Sequence, residues 1–408
     1  MSIPGPSGDQ IERFLADPEG LLHDLQSYGR FVHINLAGAD TVVIYDVEAS
    51  HQLFADKLDH VGMAAPFELL SHATGSGILT NYDWDTWRPR RQAIVKPLGA
   101  RAVGQFHDRM TDIIDDELDQ WSVGDHRDLT STVRSLTLRV VADLLFTADL
   151  TPDAVHVIDQ AVEEIHLWAE SDPANINLDI EPASFRKAID DLDTYIRGVM
   201  NARPHNNPGD DMVGRLLLAA QDDDMPLDHD AVRDEAITLI LAGHETVTNT
   251  ITFALNLLAR HPEARSQPAR HIVDETLRIY PPVHITDRLI VKDLSLGPIT
   301  IPAGWGALVP EFVFYRDDRY FERAAEFLPE RWADDSPLHL NRRAYFPFLT
   351  GPKFCVGSHF ALLEAAEAVE RFCRRFRMQM LDPDPPECRF FALSYGPANP
   401  MPYHLELS

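Results

Sequence analysis

The chain has 408 residues, 45% of them hydrophobic and 25% charged, a globular balance that excludes a fibrous or disordered protein. Its formal net charge of -28 sets it against nucleic acid and anionic membrane surfaces. Three cysteines, Cys355, Cys373 and Cys388, are too few and odd in number for a disulfide framework, which points to a reducing compartment and leaves room for one functional thiolate.

The start, MSIPGPSGDQ, has no basic stretch followed by an apolar run, and no long uninterrupted apolar stretch follows, so the expectation is a soluble, cytoplasmic protein with no membrane anchor. Residues 31 to 46 show β-branched runs split by Gly38, which predicts a strand pair. Apolar positions then recur at three-to-four spacing over 105 to 122, 131 to 147, 153 to 170, 184 to 202, 228 to 260 and 358 to 377, the pattern of helices. Proline and glycine clusters cut the chain at 203 to 209, 281 to 282, 297 to 304, 347 to 352 and 383 to 386. Short β signals return at 285 to 309 and after 389. With no repeat, low-complexity tract or linker, the sequence predicts a single domain over 1 to 408, mainly α with a small β region. The helix from Asp228 to Arg260 would span roughly 45 Å. Its middle, ITLILAG, is apolar on nearly every side, as in a buried central helix, yet His244, Glu245 and Thr246 follow. Polar groups there need partners or a purpose.

Three motifs carry chemistry. The first, FLTGPKFCVG at 348 to 357, places Phe348, Gly351, Lys353, Cys355 and Gly357 at the spacing F-x-x-G-x-K-x-C-x-G. A lone cysteine is otherwise most often a small buried apolar residue. The second is Ala242-Gly243-His244-Glu245-Thr246, weak by itself because a helical threonine often bonds back to the preceding turn. The third puts Glu275 and Arg278 on one helix face, with Arg331 in the later Pro329-Glu330-Arg331-Trp332 as a candidate partner.

Together, in this order, these motifs resemble the cytochrome P-450 superfamily from about Trp84 to the C-terminus. The resemblance implies the fold of that family, with haem b (iron protoporphyrin IX) between the long central helix and the cysteine loop. Cys355 would be the iron ligand, with Gly351 and Gly357 allowing backbone turns that aim amides at its sulfur. Phe348 and Lys353 belong to the same loop, Ala242 and Gly243 would let the flat cofactor approach the helix, and Thr246 and Glu245 would be catalytic, delivering protons. Trp87 and Arg91, on a helix predicted to start near Pro89, would meet the propionates together with Arg288, and Lys353 would add a further charge. Glu275, Arg278 and Arg331 would form a buried structural network.

The implied activity is a monooxygenase that oxidises a small organic molecule with O2, in secondary metabolism. No flavin or iron–sulfur domain fits in the remaining chain, so electrons would come from a ferredoxin and ferredoxin reductase. The alternatives are a peroxide-driven or oxidative-coupling enzyme on the same scaffold, and a haem sensor or carrier. The substrate pocket, by analogy, draws on residues 60 to 80, 165 to 185, Leu239, Ala242, the turn Val283 to Thr286, and Phe391, Ala392 and Leu393. Basic islands at Arg88, Arg90 and Arg91 and at Arg342, Arg343 and Lys353 are expected to attract an acidic ferredoxin. The chain departs from the family at Val247, at Tyr315, where histidine is frequent, at Lys353, and in a short stretch between His261 and Glu275.

Overall fold

A computed structural model describes residues 3–55, 58–147, 151–171, 181–222, 227–390 and 394–408. The chain divides into two compact units, one of Met1–Ala64 with Asp274–Cys355 and one of Ala65–Val273 with Val356–Ser408.

The first unit is built on a five-stranded sheet. Phe31–Leu36 and Ala39–Ile44 form the predicted hairpin, turned by Ala37 and Gly38 at φ 52° and 87°. Two left-handed residues match the twist of paired strands. Gly306–Val309 adds in parallel to Ala39–Ile44, then Thr286–Ile290 and Val61–Gly62 follow antiparallel. Val42, Ile44, Ile290, Ala307 and Val309 of this sheet join Leu53 and Phe54 of the helix Val47–Ala55, and Phe314 and Phe346, in one core. The β signal at 285 to 309 thus resolves into two of these strands plus the small pair Leu294–Leu296 and Ile299–Ile301.

The second unit is mainly helical, and six of its helices lie close to where the periodicity placed them: His107–Leu118, Leu129–Phe146, Pro152–Ser171, Ala183–Ala202, His229–Arg260 and Ser358–Arg375; Ala65–Thr74, Ala100–Val103 and Met212–Ala219 are helices that the periodicity did not reveal. Asp128 and Asp228 begin two of them as caps, accepting from the N–H groups of Thr130 and Ser131 and of Ala231. The 32-residue helix His229–Arg260 packs on Leu129–Phe146 and on Ser358–Arg375.

Two boundaries differ from expectation. The last helix stops at Arg375, because Phe376–Met380 switches to alternating burial and pairs as a strand with Tyr403–Leu407. The helix of Trp87 and Arg91 starts at Trp84 rather than near Pro89, since Asp83 caps it through the Asp85 N–H and Pro89 lies in its interior. The short stretch after His261 is taken up by one tight turn, Pro262–Ser266, before the helix Ala269–Ile279. No described helix is long and apolar enough to cross a membrane.

Candidate active site

In the first unit the Phe348–Cys355 loop is a rigid turn. Gly351 adopts φ +72°, and a Cβ there would meet the Phe54 carbonyl oxygen at 2.6 Å and the Ala55 Cα at 2.8 Å. Only glycine accommodates both the conformation and the close approach. Leu349 is also left-handed, at φ 59°, a strained state for a branched residue. The Cys355 N–H donates to the Phe348 carbonyl at 2.9 Å and the Phe354 N–H to that of Gly351 at 3.0 Å, which closes the turn. Lys353 ends its single helical turn and is half-buried. Gly357, in the second unit, does not use glycine's freedom: at φ -85° it precedes the helix Ser358–Arg375, and its carbonyl accepts from the Ala361 N–H. The expectation of two special glycine turns therefore holds for Gly351 alone.

The three cysteines differ in chemistry. Cys355 is exposed. Burial pushes the Cys373 thiol above its ordinary range, and the Cys388 thiol donates to the Pro386 carbonyl. Cys355 is thus the one suited to act as an accessible thiolate.

Behind the loop, Glu275 sits in a fully buried charge network. Its carboxylate accepts from Arg278 Nε at 3.0 Å and Nη2 at 2.7 Å, from Trp332 Nε1 at 2.9 Å and from the Leu328 N–H at 3.0 Å, and Arg331 lies 3.3 Å away. Arg278 also donates to the Tyr315 carbonyl, and the Tyr315 hydroxyl accepts the Phe346 N–H at 3.2 Å. The network thereby reaches the residues that lead into the cysteine loop. Tyr315, at the family's frequent histidine position, fills a fully buried site where desolvation raises its hydroxyl well above the usual range.

Arg288, on the strand Thr286–Ile290, is buried, with its guanidinium 5.3 Å over the Phe54 ring and a bond to the Asp287 carbonyl at 2.6 Å. Phe54 therefore touches both Arg288 and Gly351. Nothing in the sequence marked Phe54, a single aromatic in an apolar helix.

In the second unit, residues 235–240 and 247–258 of the long helix are buried, while Ala242 between them is exposed and Glu245 and Thr246 are half-buried. The helix runs unbroken through this opening. The Thr246 hydroxyl donates to the Ala242 carbonyl at 2.8 Å, and His244 Nε2 lies 3.2 Å from the Arg134 carbonyl. A Cβ on Gly243 would meet Val141 at 3.3 Å, so its bare backbone lets the helix Leu129–Phe146 come close. Glu245 lies 3.7 Å from Arg389. Trp87 is buried and spends its indole N–H on the Ile78 carbonyl at 3.0 Å, while Arg91 stacks over its ring at 5.3 Å. Of the pocket residues suggested by analogy, 172–180 and Phe391, Ala392 and Leu393 lie outside the described residues.

These residues fit a haem. Each unit by itself offers chemistry that suits one: in the first, an exposed cysteine on a tight turn and a buried arginine of the kind an anionic propionate requires, and in the second, an exposed alanine on an otherwise buried helix.

The cytochrome P450 family model matches residues 21–267 and 269–401. Cyclooctatin synthase of Streptomyces melanosporofaciens is 25% identical over 396 residues, 89% of this chain and 86% of that protein. Pentalenene oxygenase of Streptomyces avermitilis is 24% identical over 402 residues, 90% of this chain and 88% of that protein. The crystal structure of CYP175A1 from Thermus thermophilus is similar in fold, with a TM-score of 0.80 at 24% identity over 99% of this chain and 100% of that one. With the family model spanning nearly the whole chain and the fold shared, the chain belongs to the cytochrome P450 family, as an oxidoreductase of the monooxygenase type that uses haem b.

Proposed function

We propose that this P450 oxidises a small organic substrate in the cytoplasm, in secondary metabolism, with O2 and with electrons from a separate ferredoxin and ferredoxin reductase. The observation that carries the reading is the exposed Cys355 on a turn that only Gly351 can make. Cys355 would hold the iron, with Phe348 and Lys353 in its loop and Gly357 beginning the next helix. Arg288 and Arg91 would pair with the propionates, Trp87 supporting Arg91 from below rather than donating its committed N–H. When bound, a cysteine-ligated haem supplies the redox chemistry that activates O2.

The chain's own residues would supply the rest. Ala242 presents only a methyl group at the exposed point of the helix. Thr246 anchors its hydroxyl on the Ala242 carbonyl and keeps its lone pairs to accept from water or substrate. Glu245, mostly withdrawn from solvent, would carry protons inward. Monooxygenation inserts one oxygen atom of O2 into the product and reduces the other to water, which consumes two electrons and two protons.

The test is NADPH consumption with a surrogate ferredoxin and reductase over a panel of candidate substrates in 18O2. Pentalenene, named by a relative, belongs in that panel. One labelled oxygen per product is expected. Products that form only with added peroxide would favour the peroxide-driven alternative.

A further inference from the structure

One short loop of the second unit, residues 75–78, is gripped by two helices at once, Trp84–Val95 and the long helix His229–Arg260. Trp87 donates its indole N–H to the Ile78 carbonyl at 3.0 Å, and Arg90, three residues on and so on the same helix face, donates to the Ser76 carbonyl at 2.7 Å. The amides of the same two loop residues are taken by the long helix: the Ser76 N–H donates to Asp234 at 2.9 Å and the Ile78 N–H to Glu235 at 3.1 Å. The loop lies too close to that helix for side chains at its two glycines. A Cβ on Gly75, at φ +55°, would come within 2.4 Å of the Asp234 carboxylate, and one on Gly77 within 1.9 Å of the Thr238 hydroxyl. Arg90 also faces Asp234 and Glu235 at 3.6 and 3.8 Å, and Glu235 is fully withdrawn from solvent. Arg233 reaches Asp234 too, at 3.1 Å. Arg90 is thus the cation that holds the loop carbonyl and both helix carboxylates together, and carboxylates so withdrawn from water require one.

Resting on the propionate role proposed for Arg91, we propose that Arg90 is its positioning residue, acting through the loop and the Trp87 ring. Arg91 stacks over that ring at 5.3 Å, so where the ring lies decides where the guanidinium lies. The ring is tied to the Ile78 carbonyl, and Ile78 keeps its place while Ser76, two residues back, is held by Arg90. Without Arg90, the Ser76 carbonyl loses that donor and two neighbouring carboxylates lose a shared countercharge, so the loop is free to leave the long helix. Arg91 then meets an anion from a loose ring instead of a fixed one, and ordering the ring costs part of the binding.

The experiment follows the loss of ferric haem from the holoenzyme to excess apomyoglobin, with no NADPH and no organic substrate, in the parent, Arg90→Met, Arg91→Gln and the double variant. Arg90→Met and Arg91→Gln should each release haem about threefold faster or more. The double variant should stay within about twofold of Arg91→Gln alone, because one residue acts through the other. Arg90→Lys, which keeps the charge but not the planar fork, should recover part of the retention, and it takes the place of Arg90→Met in the same cycle if that variant does not take up haem. Amide exchange over 75–78 should speed up in Arg90→Met and stay at the parent rate in Arg91→Gln. An Arg90→Met effect that multiplies the Arg91→Gln effect in full would make Arg90 a support of the fold and overturn the proposal. Parent-like haem release in Arg90→Met beside fast release in Arg91→Gln would overturn it as well, while the role of Arg91 stands. Parent-like release in Arg91→Gln would remove the propionate role and the positioning with it.

Discussion

Arg331 shows how much one buried side chain can carry. It lies fully buried 3.3 Å from a Glu275 carboxylate that is itself without solvent, and burial lowers the readiness of Arg331 to hold its charge. Arg331→Met should cost about 3–5 kcal/mol in chemical denaturation, because it strands a buried charge. Glu311 presents the opposite case. It is fully buried, no hydrogen bond to either carboxyl oxygen reaches good geometry among the described residues, and desolvation raises it to about 8, with the nearby Thr286 hydroxyl and Arg288 offsetting only part. In acid, folded and unfolded chains both hold this proton. As pH rises from the ordinary carboxyl range toward about 8, the unfolded chain loses it and the folded chain keeps it, so stability falls across that window and then levels off. Glu311→Gln should therefore gain on the parent by about 4 kcal/mol between pH 5 and 8, read from denaturation midpoints at the two pH values. A constant difference would mean that Glu311 is ionised in the folded protein. The Glu275 network was legible because its three charges stand at motif spacing. Glu311 was not, since burial without a well-formed hydrogen bond is a property of tertiary packing that no local pattern reports.

The long helix was legible as an element because its apolar run is bounded by Asp228, a good cap, and at 32 residues it is the longest of the described helices. Its polar insert was equally visible, but the partners were not. Glu245 meets Arg389 and Asn249 meets Ser394 across a wide sequence separation, and no periodicity rule reaches that far. Local competition also went unseen: Gly357 opens a helix instead of making a special turn, and the strand Phe376–Met380 ends a helical pattern that reads on to residue 377. For the element as proposed, Thr246→Ala should still bind haem yet send a larger share of electrons from NADPH into peroxide, since the helix and its opening survive while the hydroxyl is lost. An unchanged peroxide yield would reduce Thr246 to a residue that merely bonds back to Ala242.

At the scale of the whole molecule, the net charge of -28 makes each exposed cation informative, and the structure sorts the basic islands. Arg90 is not a surface group: it donates to the Ser76 carbonyl at 2.7 Å and faces Asp234 and Glu235 at 3.6 and 3.8 Å, with 14% of its side chain exposed. Arg343 is bound by Glu48 through both oxygens, at 2.5 and 2.8 Å. Arg88 and Arg342 remain exposed. Arg88→Glu with Arg342→Glu should slow stopped-flow reduction by ferredoxin and flatten its ionic-strength dependence, while reduction by dithionite stays normal. Equal speed and equal salt sensitivity in the double variant would place donor docking elsewhere.

The central claim is that Cys355 holds the haem iron as a thiolate, and the CO complex of the reduced protein tests it most directly. The parent, Cys373→Ser and Cys388→Ser should all give the red-shifted Soret band of thiolate ligation, and Cys355→Ser should lose it. A Cys355→Ser protein that keeps the band, or a loss caused by either other substitution, would contradict the assignment.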